Sequence, residues 1–165
     1  VGNRLVFKDM IMLKKEIPKD ELQPAIEKAG PTDFPQIMRV WESSVKATHD
    51  FLSQEDFDFF KEMIPTCYLP QLDVYMLCSE EEVFAFMGIS GEELEMLFVS
   101  AESRGKGYGK KLLKYAIREL DIKKVDVNEQ NGQAVGFYER FGFKVAGRSA
   151  KDSTGKDYPI LHMSL

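Results

Sequence analysis

The run Leu94-Glu95-Met96-Leu97-Phe98-Val99 leads, after a short break, into Arg104-Gly105-Lys106-Gly107-Tyr108-Gly109-Lys110-Lys111-Leu112-Leu113. It reads as a strand feeding a glycine-punctuated turn that opens an amphipathic helix. Glycines at 105, 107 and 109 keep side chains out of the way of a ligand, and the first helical turn offers unpaired N–H donors at a positive dipole end. Such a turn is an anion site, and the expected ligand carries phosphate.

Spacing narrows the ligand. A nucleoside-triphosphate loop of the form Gly-x4-Gly-Lys-Ser/Thr fails, because Gly105 stands one place off the first glycine and Lys111 occupies the Ser/Thr position. That disfavours a nucleotide-triphosphate hydrolase. The dinucleotide pattern Gly-x-Gly-x-x-Gly fails as well, with Lys110 or Leu112 at its last position. Arg/Gln-x-x-Gly-x-Gly/Ala is met by Arg104, Gly107 and Gly109. Downstream, Asn131-Gly132-Gln133-Ala134-Val135-Gly136-Phe137-Tyr138-Glu139-Arg140-Phe141-Gly142-Phe143 follows Asn-x-x-Ala-x-x-hydrophobic-Tyr-x-x-x-Gly-Phe.

These two stretches, in this order, resemble the paired motifs of the GNAT superfamily of N-acetyltransferases, in its small stand-alone bacterial type. The resemblance covers residue 24 to the end and implies an α+β fold: a mixed, mostly antiparallel twisted sheet flanked by helices on both faces. Residues 1–23 have no counterpart and are set apart as an extension of uncertain role. The family pattern often carries Pro where this chain has Ala101.

Composition agrees with one domain: 165 residues, 44% hydrophobic and 30% charged. A net charge of -5 argues against a general nucleic-acid binder, although Lys106, Lys110, Lys111 and Lys114 form a local basic cluster that suits phosphate or a solvated helix face. Cys67 and Cys78, without a CxxC pair or a secretory leader, point to free thiols in a reducing compartment. Two histidines make a histidine-rich metal site improbable, so no metal is expected. No apolar run approaches a membrane span. The expectation is a cytoplasmic monomer or homodimer that binds neither membrane nor nucleic acid.

Hydrophobic spacing predicts a strand at 25–29, a helix through Phe34, Ile37, Trp41 and Val45, and a second helix capped by Ser53 and ended by Pro65. Three β-runs, 73–78, 83–89 and 94–99, should form an antiparallel meander. A third helix over 107–120 and a strand at 125–127 make a strand-helix-strand unit, which implies parallel neighbours. A fourth helix, 131–141, and strands near 143–146 and 159–163 close the chain.

The resemblance implies acetyl-CoA as co-substrate, with its pyrophosphate on Arg104, Gly105, Lys106, Gly107, Tyr108, Gly109 and Lys110. It also implies that pantetheine amides pair with the strand edge at Leu97, Phe98 and Val99, where two parallel strands splay. Asn131 is a good helix cap by spacing, and the motif adds a contact to the pantetheine arm. Tyr138 matches the family tyrosine that protonates the departing thiolate; without the motif, it and Phe137 and Phe141 would read as an apolar helix face.

The acceptor amine also needs a base. Strand alternation places Glu93 and Glu95 on one face with Leu97 and Val99, which makes Glu95 the candidate, against the ordinary reading of a solvated strand end. His49, between the first two helices, is a rival base or acceptor-site residue, and a lone loop histidine is often merely exposed. Phe51 and Tyr158 are the other acceptor-pocket candidates; Trp41 reads as core. The expected activity is direct transfer of acetyl from acetyl-CoA to a primary amine (a small amine, a lysine side chain or a peptide N-terminus) through a tetrahedral intermediate, since neither cysteine sits in a nucleophile motif. The alternative is a non-catalytic acyl-CoA sensor or regulatory domain.

Overall fold

A computed structural model describes residues 23–165, so the readings for the earlier segment lie outside the described residues. Strand β1 (Ala25–Lys28) runs into a short 3-10 turn, where the Asp33 carboxylate accepts the Gly30 N–H at 2.9 Å. That turn starts helix α1 (Phe34–Thr48), which buries Ile37, Val40, Trp41, Ser44 and Val45 at helical spacing. Helix α2 (Gln54–Met63) begins at Ser53, whose hydroxyl accepts the Asp56 N–H at 3.1 Å, a cap of the kind that contributes about 1 kcal/mol.

Pro65 does not end the helical path. The chain continues through one wide turn, Ile64–Tyr68, in which the Leu69 N–H reaches back to the Ile64 carbonyl, and then a 3-10 turn, Leu69–Gln71. A proline is tolerated in the first turn of a helical segment because its missing N–H would lack an intrahelical partner there.

Strands β2 (Asp73–Cys78), β3 (Val83–Ser90) and β4 (Glu93–Val99) form the expected antiparallel meander. Helix α3 (Tyr108–Glu119) crosses over to β5 (Lys124–Asn128), which pairs parallel to β4. Helix α4 (Gly132–Arg140), β6 (Lys144–Ser149) and β7 (Ile160–Ser164) complete a seven-stranded sheet in the order β1-β2-β3-β4-β5-β7-β6.

Two cores flank this sheet. On one face Leu112, Leu113 and Ala116 of α3 pack with Leu77, Met87, Leu94, Val125 and Phe143; on the other, α1 and α2 cover Val74, Phe86 and Val83. Trp41 is 3% exposed and stacks on Phe57 with ring centroids 5.2 Å apart, as a core residue should. The fold is the α+β arrangement expected from the sequence. No described helix is long and apolar enough to cross a membrane.

Candidate active site

The central strands part company early. β4 and β5 share only two register pairs, Glu93 with Lys124 and Leu94 with Val125. Beyond them the strands diverge, and the gap opens into a cleft of about 690 Å³ that reaches from the glycine turn, past the exposed β4 edge, to the α1–α2 connection.

The glycine turn forms one end of the cleft. Gly105 and Gly107 hold φ of 78° and 81°, the left-handed region that other residues enter only at a cost, and no heavy atom lies within 4 Å of where a Cβ would sit on either. Gly109 differs: its φ is ordinary, and an added Cβ would meet Val99 and Phe137 at 3.5 and 3.7 Å. Gly107 also starts α3, so the free N–H groups of the first turn point where a phosphate would lie. Arg104, Gly105, Gly107, Tyr108, Gly109 and Lys110 line the cleft; Lys106 does not. Arg104 donates to the side-chain oxygen of Gln133, which ties the turn to the start of α4.

Gln133 was missed in the sequence because it occupies a variable position of the downstream motif. Its partner lies 29 residues away. The turn therefore fits a pyrophosphate, with open backbone, a helix start and basic side chains on one rim.

Leu97, Phe98 and Val99 line the middle of the cleft on a strand edge that β5 has left unpaired. Asn131 caps α4, its side-chain oxygen accepting the Ala134 N–H at 3.2 Å, and it also borders the cleft. Helix α4 stops at Gly142 (φ 96°), where the Phe143 N–H returns to the Tyr138 carbonyl at 3.2 Å and the Gly142 N–H to that of Glu139 at 2.9 Å. This turn folds Phe143 onto Tyr138, edge to face at 5.9 Å. Tyr138 is 6% exposed yet lines the cleft. Burial pushes its phenol well above the usual range, so the proton stays on oxygen at neutral pH.

The facing of Glu95 departs from the expected alternation. Gly88 pairs with Met96 while Ile89 pairs with Leu94, so Glu95 is an extra residue bulged out of β4. The bulge breaks the alternation. Leu94 packs with Leu97 and Val99 in the α3–α4 core, whereas Met96 and Phe98 pack against the α1–α2 core. Glu93 and Glu95 therefore do not share a face with Leu97 and Val99 by simple alternation. Glu95 does border the cleft, and partial burial, then Glu93, then Asp126 raise its pKa, with no cation or donor among the described residues to offset them.

The end of the cleft away from the glycine turn is aromatic. His49, Phe51 and Tyr158 all line it; the rings of His49 and Phe51 are 5.1 Å apart and those of Phe51 and Tyr158 6.3 Å. Burial pulls His49 down to about 4, which makes it a poor proton acceptor beside an ammonium. Tyr158 precedes β7 and has a structural task as well: its hydroxyl donates to Asp56 and accepts the Ser53 N–H at 3.4 Å. Asp126 and Tyr68 also line the cleft and were not singled out in the sequence. Val125 and Val127 mark the buried face of β5, but the sequence does not say what the opposite face, with Asp126, lies against.

The chain belongs to the GNAT family: the description "Acetyltransferase (GNAT) domain" matches residues 43–159. It is an acetyl-CoA-dependent N-acetyltransferase that transfers acetyl to an amine. Among its relatives is the peptidyl-lysine N-acetyltransferase YjaB of Salmonella typhimurium, 40% identical over 129 residues, 78% of this chain and 88% of the relative. The solution structure of apo YjaB from Escherichia coli superposes with a TM-score of 0.77 at 35% identity, covering 85% of this chain and 95% of that one. A PaiA N-acetyltransferase from Thermoplasma acidophilum in complex with coenzyme A shares the fold, with a TM-score of 0.66 at 21% identity over 86% of this chain and 98% of that one.

Proposed function

We propose that the chain acetylates the side-chain amine of lysine in a peptide or protein, with Glu95 as general base and Tyr138 as general acid. The observation that carries this reading is that both residues line one cleft beginning at the glycine turn. Bound acetyl-CoA would supply an activated acyl carbon and a thiolate leaving group. The Gly105–Lys110 turn holds the pyrophosphate, and the free edge at Leu97–Val99 takes the pantetheine amides, which directs the thioester into the gap between β4 and β5.

Glu95 takes a proton from the acceptor ammonium, and the uncharged amine attacks the acyl carbon. As the C–S bond of the tetrahedral intermediate breaks, Tyr138 gives its phenolic proton to the sulfur, and the second proton shed by the nitrogen restores the phenol. Direct transfer is supported by the cleft lining, which contains no cysteine among the described residues.

Lysine is favoured over a bulky or acidic acceptor by the shape of the far end. The rings of His49, Phe51 and Tyr158 make an apolar wall suited to a chain of methylenes, and Glu95 and Asp126 give the same cleft carboxylates that suit a cation. The relatives named for peptidyl-lysine acetylation support the same choice.

The test offers acetyl-CoA with three acceptors: an N-terminally blocked peptide containing one lysine, a lysine-free peptide with a free N-terminus, and a small diamine. Mass spectrometry is expected to place acetyl on the lysine Nζ of the first. Acetylation of only the second or third would overturn the assignment of lysine.

A further inference from the structure

Asp126 is the inner end of a hydrogen-bonded chain that leaves the cleft. On β5 it is the register partner of His162 on β7, and their side chains project on the same side of the sheet. His162 Nδ1 lies 2.6 Å from Asp126 Oδ1, and His162 Nε2 lies 2.6 Å from Ser149 Oγ on β6. Gly147 faces His162 across the β6–β7 pair and puts no side chain against the ring. The His162 side chain is 42% exposed, against 31% for Asp126, so the chain runs from the cleft wall outward to solvent.

On its inner side, Asp126 meets the acidic end of β4. Glu93 and Glu95 flank Leu94, whose register partner Val125 immediately precedes Asp126, so the three carboxyls stand on adjoining stretches of β4 and β5. Lys124 is the cation that faces Glu93 from β5. Glu95 and Asp126 line the same cleft, so Asp126 is the carboxyl of β5 placed to take on a proton that Glu95 has accepted. An imidazole with one nitrogen toward a carboxyl and the other toward a hydroxyl can pass a proton through itself.

We propose that Asp126, His162 and Ser149 carry the proton released by the acceptor amine from Glu95 to solvent, away from the donor's path. The inference rests on the reading of Glu95 as base. The ammonium N–H bond breaks and an O–H bond forms on Glu95; that O–H bond then breaks as one forms on Asp126, the carboxyl of β5 in the same cleft. The Asp126 O–H then breaks as a bond forms to His162 Nδ1, and the Nε2 proton passes to Ser149 and water. One proton moves in total, and no electrons change hands. His162 and Ser149 touch no substrate and act through Asp126, so they are positioning residues.

The test compares wild type, His162→Gln and Glu95→Gln at neutral pH, with a small imidazole buffer varied at constant ionic strength. His162→Gln keeps polar contacts on both sides but cannot pass a proton through. It is expected to lose about tenfold in kcat, a step below the usual range for a full acid-base residue, with KM for acetyl-CoA unchanged. Rising imidazole should restore its kcat, while wild type stays indifferent to buffer.

Wild-type turnover in His162→Gln, or a loss that buffer does not repair, overturns the relay. The Glu95→Gln arm separates the two readings. Full activity there removes the base assignment itself, whereas an inactive Glu95→Gln beside a buffer-insensitive His162→Gln removes the relay alone.

Discussion

In the proposed mechanism Tyr138 and Glu95 have opposite tasks, and the surroundings of each suit its own. A phenol whose ionised form is disfavoured keeps the proton it must give, and a carboxylate lifted above its ordinary range is a stronger base for an ammonium. Tyr138→Phe removes only the hydroxyl and leaves the ring on Phe143. It is expected to lower kcat by about a hundredfold, with the Kd for acetyl-CoA unchanged by calorimetry. Asn131 and Tyr138 were legible because the motif fixes them within one helix. The facing of Glu95 was not, since Glu93 to Met96 alternates polar with apolar, Leu97 to Val99 is apolar throughout, and the extra residue exists only relative to Gly88 and Ile89 on the next strand. His162 and Asp126 lie 36 residues apart, and only the sheet register joins them.

At the scale of elements, the glycine turn is the part whose shape depends most on residue type. Gly107→Ala places a Cβ on a backbone at φ 81°, in space that holds no neighbouring atom, so the penalty is conformational rather than a clash. The left-handed region costs a non-glycine residue about 1–2 kcal/mol. Urea unfolding is expected to show a loss of that order. CoA affinity should fall as well, because relaxing the strain moves the N–H groups of the first turn of α3. A Gly109→Ala change, with ordinary φ and ordinary contacts, should cost less stability. Helix and strand placement followed from period and caps throughout the described residues. The end of α2 did not, because Pro65 is a breaker only where its N–H is needed, and the wide turn from Ile64 to Leu69 does without it.

Across the whole molecule, the far end of the cleft is held by contacts between distant segments. Asp56 at the start of α2 receives Lys156 and the Tyr158 hydroxyl from the β6–β7 connection, and these partners lower its pKa to about 2. A carboxyl with a depressed folded pKa stabilises the fold above its unfolded value near 3.8 and loses that contribution as pH falls toward about 2. Asp56→Asn should therefore lower the urea midpoint at pH 7 and narrow the gap to wild type near pH 2. An equal gap at both pH values would show that this link does not depend on charge. None of this link was visible in the sequence, where Tyr158 had no evident structural partner.

The two register pairs between β4 and β5 make the sheet a joint between two smaller sheets, β1 to β4 and β5 with β7 and β6. In the proposed binding mode a long donor lying in that joint would work as a splint, its amides pairing with backbone groups that no neighbouring strand reaches and its phosphates held at the start of the crossover helix. Loading the donor would then complete the architecture as well as the chemistry. At a free concentration one hundred times its Kd it would add about 2.7 kcal/mol to folding stability, so the enzyme at work is a sturdier object than the enzyme at rest.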